Sequence, residues 1–386
     1  MTVTGPKGFR AAGVAAGIKE SGALDLALVV NDGPQHTAAG VFTRNAVKAA
    51  PVLWSQEVLR HQRLRAVVLN SGGANAATGP GGFQDTHATA EKVAEVLGTG
   101  AIDVAVCSTG LIGERLPMDA VLSGVVTAVG ALDRTREAGL AAATAVMTTD
   151  SVPKQSWKSH SDGWSIGGFA KGAGMLAPNL ATMLVVLTTD AVIAPEALDA
   201  ALRAAARVTF DRLDVDGGTS TNDTVLVLSS GASELSPRVD DFTELLTAVC
   251  LDLVYQLRAD SEGATKDVDV IVRGAASEQD AINVGRTVAE DNLVKTALFG
   301  SDPNWGRIAM AVGRSQAEVD PNTLAIAING VTLFASGTTA ADRTKVDLGA
   351  RAIEIAIDLG IGSSTATIYT TDLSHGYVEE NSAYSS

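Results

Sequence analysis

Short apolar runs alternate with amphipathic stretches along this chain. Residues 66–70 and 102–107, apolar apart from Asn70 and Asp103, read as buried strands, the pattern of strands covered on both faces. Residues 164–169, 182–189, 223–228, 268–272, 353–357 and 366–369 are further strand candidates. The spacing predicts helices over 84–97, 118–129, 134–146, 195–207 and 278–290. Pro195 stands in the first turn of its helix, where a missing N–H does no harm. Phe242, Leu245, Leu246, Val249, Cys250, Leu253 and Leu257 mark one helix face at the 3.6-residue period. Asn329-Gly330, between 324–328 and 331–334, predicts a hairpin with a type I′ turn.

No repeat, low-complexity tract or linker interrupts this order. The pattern implies an α+β fold of layered sheets covered by helices. A βαβα rhythm is missing from the last third, which argues against one doubly wound sheet. The 386 residues suffice for one large domain or two medium ones. Apolar residues make up 46% but aromatics only 4%, so the core should be built from Val, Leu, Ile and Ala. A net charge of −15 argues against nucleic acid or anionic lipid as partner, and an anionic substrate needs a local positive site. Cys107 and Cys250 fall on apolar positions and read as buried free thiols in a reducing compartment. Lys19, Glu20 and Asp25 interrupt the N-terminal region, and no stretch of 18 apolar residues occurs. A cytosolic, soluble protein is expected.

The densest chemistry lies in Lys171-Gly172-Ala173-Gly174-Met175-Leu176-Ala177-Pro178-Asn179-Leu180-Ala181-Thr182-Met183-Leu184. Its G-x-G-x-x-A core resembles a dinucleotide fingerprint, but Pro178 and Asn179 follow where that motif needs a helix. His36, His61, His87, His160 and His375 adjoin no candidate nucleophile, and no metal-ligand spacing appears. A chemistry without histidine is therefore considered. A threonine at a chain's N-terminus carries its own base, an α-amine that titrates at roughly 7.7–8.0. Thr182 would reach that state by attacking the Ala181 carbonyl, forming an ester and being freed by hydrolysis. The residues alone leave this beside an ordinary loop entering a core strand. Thr109-Gly110, after an apolar run, can offer a hydroxyl and a backbone N–H side by side, as an oxyanion hole requires. An ordinary strand-end turn looks the same. The loops 70–76, 147–150, 261–266 and 302–307 are singly turn chemistry; together they suggest one cleft.

Taken together, the segments 70–75, 107–113, 147–150, 171–184, 219–224, 262–266, 293–297, 302–307 and 380–386 resemble the ornithine acetyltransferase family of arginine biosynthesis, the bifunctional glutamate N-acetyltransferases. The resemblance implies cleavage between Ala181 and Thr182. An α chain of 1–181 and a β chain of 182–386 would form one intertwined catalytic unit, with a fold similar to self-processing aminopeptidases and an α2β2 assembly. Thr182 would be the nucleophile, acetylated by N2-acetylornithine and deacetylated by glutamate in a ping-pong cycle. Thr109 and Gly110 match the oxyanion hole. Thr148, Lys171, Thr182, Glu262, Asn381 and Ser386 match substrate-binding positions. Lys171 suits a substrate carboxylate and Glu262 the amino group of ornithine. The resemblance implies no cofactor and a cytoplasmic location, and leaves open acetyl-CoA as a further donor. Two other readings stand beside it. One is a self-cleaving amidase or aminopeptidase, in which water resolves the acyl-enzyme. The other is a non-catalytic protein whose Thr182 loop holds an amino acid.

Overall fold

The computed structural model describes residues 2–175 and 183–383. The chain divides into two compact units, Met1–Asp211 with Gly218–Leu257, and Arg212–Gly217 with Arg258–Ser386. The divisions fall in a 3-10 turn, Phe210–Arg212, and near the end of a helix, Val239–Ala259. That is why no linker is visible in the sequence.

Unit 1 contains β1 (Phe9–Val14), β2 (Leu26–Asn31), β3 (Thr37–Phe42), α1 (Ala50–Val58), β4 (Ala66–Asn70), α2 (Gly79–Leu97), β5 (Val104–Ser108), α3 (Met118–Gly130) and α4 (Arg136–Ala145). β6 (Lys154–Ser159), β7 (Ser165–Lys171), β8 (Leu184–Thr189), α5 (Pro195–Val208), β9 (Thr224–Ser229) and most of α6 (Val239–Ala259) follow. A four-stranded sheet has the order β1-β2-β4-β5, and a five-stranded sheet the order β3-β9-β8-β7-β6. Only β4–β5 and β8–β9 are parallel, each joined through a helix, α2 or α5.

The unbroken apolar runs are explained by burial on both faces. Ala27, Val29, Val67, Leu69, Ala105 and Cys107 on one face of the first sheet pack with Phe169, Leu184, Val186, Leu226 and Leu228 of the second. Leu26, Leu28, Val30, Ala66, Val68, Val104 and Val106 on its other face pack on α2 and α3. The result is the layering of sheets and helices expected from the sequence.

Unit 2 contains β10 (Asp267–Ala275), α7 (Glu278–Ala289), α8 (Asn292–Phe299), α9 (Trp305–Gly313), β11 (Ala325–Ile328), β12 (Val331–Ala335), β13 (Thr338–Thr339), β14 (Ala352–Asp358), β15 (Ser364–Thr371) and α10 (His375–Ala383). Its sheet runs β13-β12-β11-β14-β10-β15 and is parallel only between β10 and β14. Here strands alternate, because one face alone is buried: Val268, Val270, Val272, Ile353, Ile355 and Ile357 pack on α7 and α9. The β11–β12 turn has φ of 46° at Asn329 and 80° at Gly330, the two positive values a type I′ turn needs.

Several boundaries differ from expectation, and three of these have a clear local cause. The strand over 102–107 starts at Val104, because 101–103 is a 3-10 turn whose Ile102 is half exposed. The helix expected from Gln84 begins at Gly79, with Pro80 in its first turn. The strand over 182–189 is seen from Leu184; the Met183 N–H goes to a side chain instead of a ladder partner. Both cysteines are buried and unbridged.

Leu226 is fully buried between the two sheets of unit 1, whereas Leu53 is 47% exposed. Leu226→Ala should therefore cost about 2–5 kcal/mol of stability, and Leu53→Ala less than about 0.5. Urea midpoints of the two variants against the parent check this ordering.

Candidate active site

Two predicted loops meet where the sheets of unit 1 end. Asn70 closes β4 and pairs with Ser108, which closes β5. The Ser108 hydroxyl and the Asn70 side chain are 2.6 Å apart. Thr109 then donates its N–H to the Asn70 carbonyl at 3.0 Å, and its own carbonyl accepts from the Gly73 N–H at 3.0 Å. Gly110 has φ +130°, and a Cβ there would lie 2.5 Å from the Gly73 nitrogen, so the turn needs glycine. Among the described residues the Gly110 N–H meets no acceptor. A hydroxyl and an open N–H thus stand side by side, as an oxyanion hole requires.

In the other sheet, Lys171 closes β7 opposite Leu184, which opens β8 beside Thr224 of β9. The Lys171 side chain is buried, and its ammonium donates to Thr148 Oγ1 at 2.8 Å and Thr109 Oγ1 at 3.3 Å. Three residues from separate sequence segments are brought together by this one cation.

Asp150 organises the cluster. Its Oδ1 accepts from Lys154 Nζ at 2.6 Å and the Gly172 N–H at 2.7 Å. Its Oδ2 accepts from the Thr148 N–H at 3.0 Å and lies 3.9 Å from Lys171 Nζ. Burial alone would raise this carboxyl, but the Lys171 and Lys154 charges and the Gly172 N–H outweigh it and hold the carboxyl at about 2. Neither Asp150 nor Lys154 was singled out from the sequence. Asp150 appeared only as the last residue of the turn 147–150, and Lys154 lay outside every motif considered.

Asp223 is a third residue the sequence did not single out. Its Oδ1 accepts the Met183 N–H at 2.9 Å, and its Oδ2 is buried with no hydrogen-bond partner among the described residues. Burial pushes this carboxyl well above the ordinary range, against the Met183 N–H and the Lys171 charge. Its neighbour Asn222 donates to the Ala74 and Ser108 carbonyls at 2.6 and 2.8 Å, tying the start of β9 to the end of β5.

Glu262 and Asn381 lie in unit 2. Glu262 Oε2 accepts from Asn381 Nδ2 at 2.8 Å. Asn381 is carried by α10, whose Tyr377 hydroxyl is 3.4 Å from Asp216 Oδ2. Burial pushes the Tyr377 phenol upward, and the Asp216 and Glu262 charges add to it. This cluster is acidic and suits an ammonium group. Gly263 has φ +61°, and a Cβ there would lie 2.1 Å from the Tyr377 nitrogen, so glycine lets α10 approach Glu262. Lys295, in the segment 293–297, is buried; its ammonium donates to the Thr371 carbonyl at 2.6 Å and to Thr370 Oγ1 at 3.2 Å. Ala181, Thr182 and Ser386 lie outside the described residues.

The ArgJ family model matches residues 10–386 of the chain. The arginine biosynthesis bifunctional protein ArgJ of Mycobacterium tuberculosis is 62% identical, over 100% of this chain and 96% of that one. Its counterpart in Streptomyces coelicolor is 61% identical, over 100% of each chain. Among solved structures, a chain of arginine biosynthesis bifunctional protein argJ from Bacillus halodurans is 38% identical with a TM-score of 0.50, covering 52% of this chain and 98% of that one.

Asp150→Asn should destabilise the protein by about 3–5 kcal/mol, because two buried ammonium groups lose their carboxylate. A depressed carboxyl contributes stability that is full above its unfolded value and lost as pH falls through its folded one. The parent's stability should therefore drop between 3.8, the ordinary value, and about 2, and the variant should lack that component. Denaturant midpoints measured across acid pH test both points.

Proposed function

The chain belongs to the ArgJ family, and from that premise we propose the residues through which it works. The protein is an acyltransferase of arginine biosynthesis that moves an acetyl group from N2-acetylornithine to glutamate. Thr182 first attacks the Ala181 carbonyl through its hydroxyl oxygen. The peptide C–N bond breaks, an ester forms, and water hydrolyses it to leave Ala181 with a carboxylate and Thr182 with a free amine. That amine then takes the hydroxyl proton as Thr182 attacks the acetyl carbonyl of N2-acetylornithine. Charge developing on the carbonyl oxygen is met by the Gly110 N–H and the Thr109 hydroxyl. Ornithine leaves with a proton on its amine. The glutamate amine attacks the acetyl-threonine ester, regenerating the hydroxyl and releasing N-acetylglutamate.

Lys171 takes the substrate carboxylate, with Thr148 beside it. Glu262, with Asn381, takes the ornithine ammonium, and Ser386 takes part in substrate binding as the family tail residue. Acetyl-CoA enters only as an alternative donor, and no resident cofactor takes part. Two cleaved copies associate as α2β2, an inference from the family resemblance. Buried, unbridged cysteines fit work in the cytoplasm.

The observation that carries this reading is the buried Lys171 ammonium on the hydroxyls of Thr109 and Thr148, in the strand that leads toward Thr182. The length of the Bacillus halodurans chain supports the cut. It is covered almost completely by about half of this chain, the share on one side of Thr182.

Denaturing mass analysis of the purified parent should give two fragments, the second beginning at Thr182 by N-terminal sequencing. Thr182→Ala should give one intact chain without transfer activity. An intact parent, or a cut variant, would sink the assignment. Thr109→Ala should lower kcat by about 100-fold, the scale for loss of one oxyanion donor, and leave KM nearly unchanged. A variant with undiminished kcat would remove Thr109 from that role. Omitting glutamate separates transfer from hydrolysis in the same assay.

A further inference from the structure

Asp150 is shared unequally between two lysines. Lys154 Nζ stands 2.6 Å from its Oδ1, while Lys171 Nζ stands 3.9 Å from its Oδ2. Lys171 makes its short contacts with the hydroxyls of Thr148 and Thr109 instead. Lys154 is fully buried on β6, one strand away from Lys171 on β7, with Lys154 paired to Ala170. A side chain without exposure there can act on a bound ligand only through its neighbours.

We propose that Lys154 is a positioning residue that sets the substrate's grip on Lys171 by holding Asp150 back from it. A buried carboxylate with two ammonium neighbours divides its attraction between them. With Lys154 in place, Asp150 is engaged at short range, and Lys171 can be oriented by hydroxyls toward a carboxylate on the ligand. Without Lys154, Asp150 has one lysine left. Lys171 would then close the 3.9 Å gap and turn from the hydroxyls, and its charge would be answered from inside the protein. Affinity for carboxylate-bearing ligands would fall although no group that touches the ligand had changed.

The inference rests on Lys171 as the carboxylate contact, so Lys171→Met is measured alongside. The decisive comparison uses the full chain, with Lys154→Met, Lys154→Gln and the double variant Asp150→Asn/Lys154→Met assayed for N2-acetylornithine and glutamate. Lys154→Met and Lys154→Gln should each raise both KM values by about tenfold, the scale of coupling within one charge network, with kcat little changed. The double variant should return KM close to the parent's, because the competing carboxylate is gone. It should also melt above Asp150→Asn, which leaves two buried ammonium groups without their carboxylate where the double variant leaves one. A merely structural role for Lys154 predicts no such return. Parent-like KM in both single variants, or a double variant as impaired as they are, overturns the proposal. If Lys171→Met leaves KM unchanged, the failure lies with the assignment of Lys171 instead.

Discussion

The site in unit 1 depends on keeping charge out of water at the ends of two sheets. A buried ammonium loses several kcal/mol of hydration, which neighbouring groups must replace. Lys171 receives two hydroxyls and a carboxylate; Asp150 receives two lysines and two backbone N–H groups. This requirement explains why strands with apolar interiors end in Ser108, Thr109 and Lys171. It also explains why the turn after α4 carries Thr148 and Asp150. Each member supplies what another would lose on leaving water, so removing one strands the rest. With every member in place the arrangement is tightly held, as the proposed oxyanion hole of a hydroxyl and an N–H would require.

Much of the fold was readable where both faces of a strand are buried, because such strands are simply apolar. β4, β8 and β9 stood out in that way. β6, with the sequence KQSWKS, carries no such signature, and α10, HGYVEENSA, has no apolar stripe, so neither was visible. α1 was hidden by Pro51 in its first turn and by its shortness. For the site, residue types were legible but pairings were not. Thr109 and Lys171 meet across 62 residues, and Asp223 and Met183 across 40. The loops at 107–110, 147–150 and 171–184 could be named as polar exits from apolar elements. That Lys171 joins the first to the second is a fact of sheet register. Asp150, Lys154 and Asp223 escaped notice because a lone carboxylate or lysine near a turn is ordinary until its burial is known.

The same register bears on where a chain can be cut. β7 and β8 pair antiparallel from Ile166 opposite Thr189 to Lys171 opposite Leu184. Ala181 and Thr182 fall in sequence between Lys171 and Leu184, the last pair of the described ladder. None of the described strand pairs, and none of the core residues Phe169, Leu184 and Val186, includes the residues at that peptide. Strands from before and after the break, β3, β6 and β7 with β8 and β9, belong to one sheet. On the proposed reading, the sheet holds the new end in place without the covalent bond, and chain entropy gained by opening the loop is modest.

A nucleophile whose base is its own amine has one electrostatic requirement: the amine must be free of its proton when it works. A carboxylate nearby would favour the ammonium form, and a cation nearby would oppose it. The structure supplies the second and limits the first. Lys171 brings a buried positive charge to the end of β7. Asp223 holds the N–H of the residue after Thr182, yet burial drives its carboxyl toward the neutral form. Asp150, which does stay ionised, is occupied by Lys154 and backbone donors. Asp223 thus anchors the Met183 backbone while burial disfavours its charge, and Asp150 is kept for the lysines. On the proposed reading, a threonine amine with an ordinary titration near pH 8 would stay available as a base under that division, and no histidine would be needed.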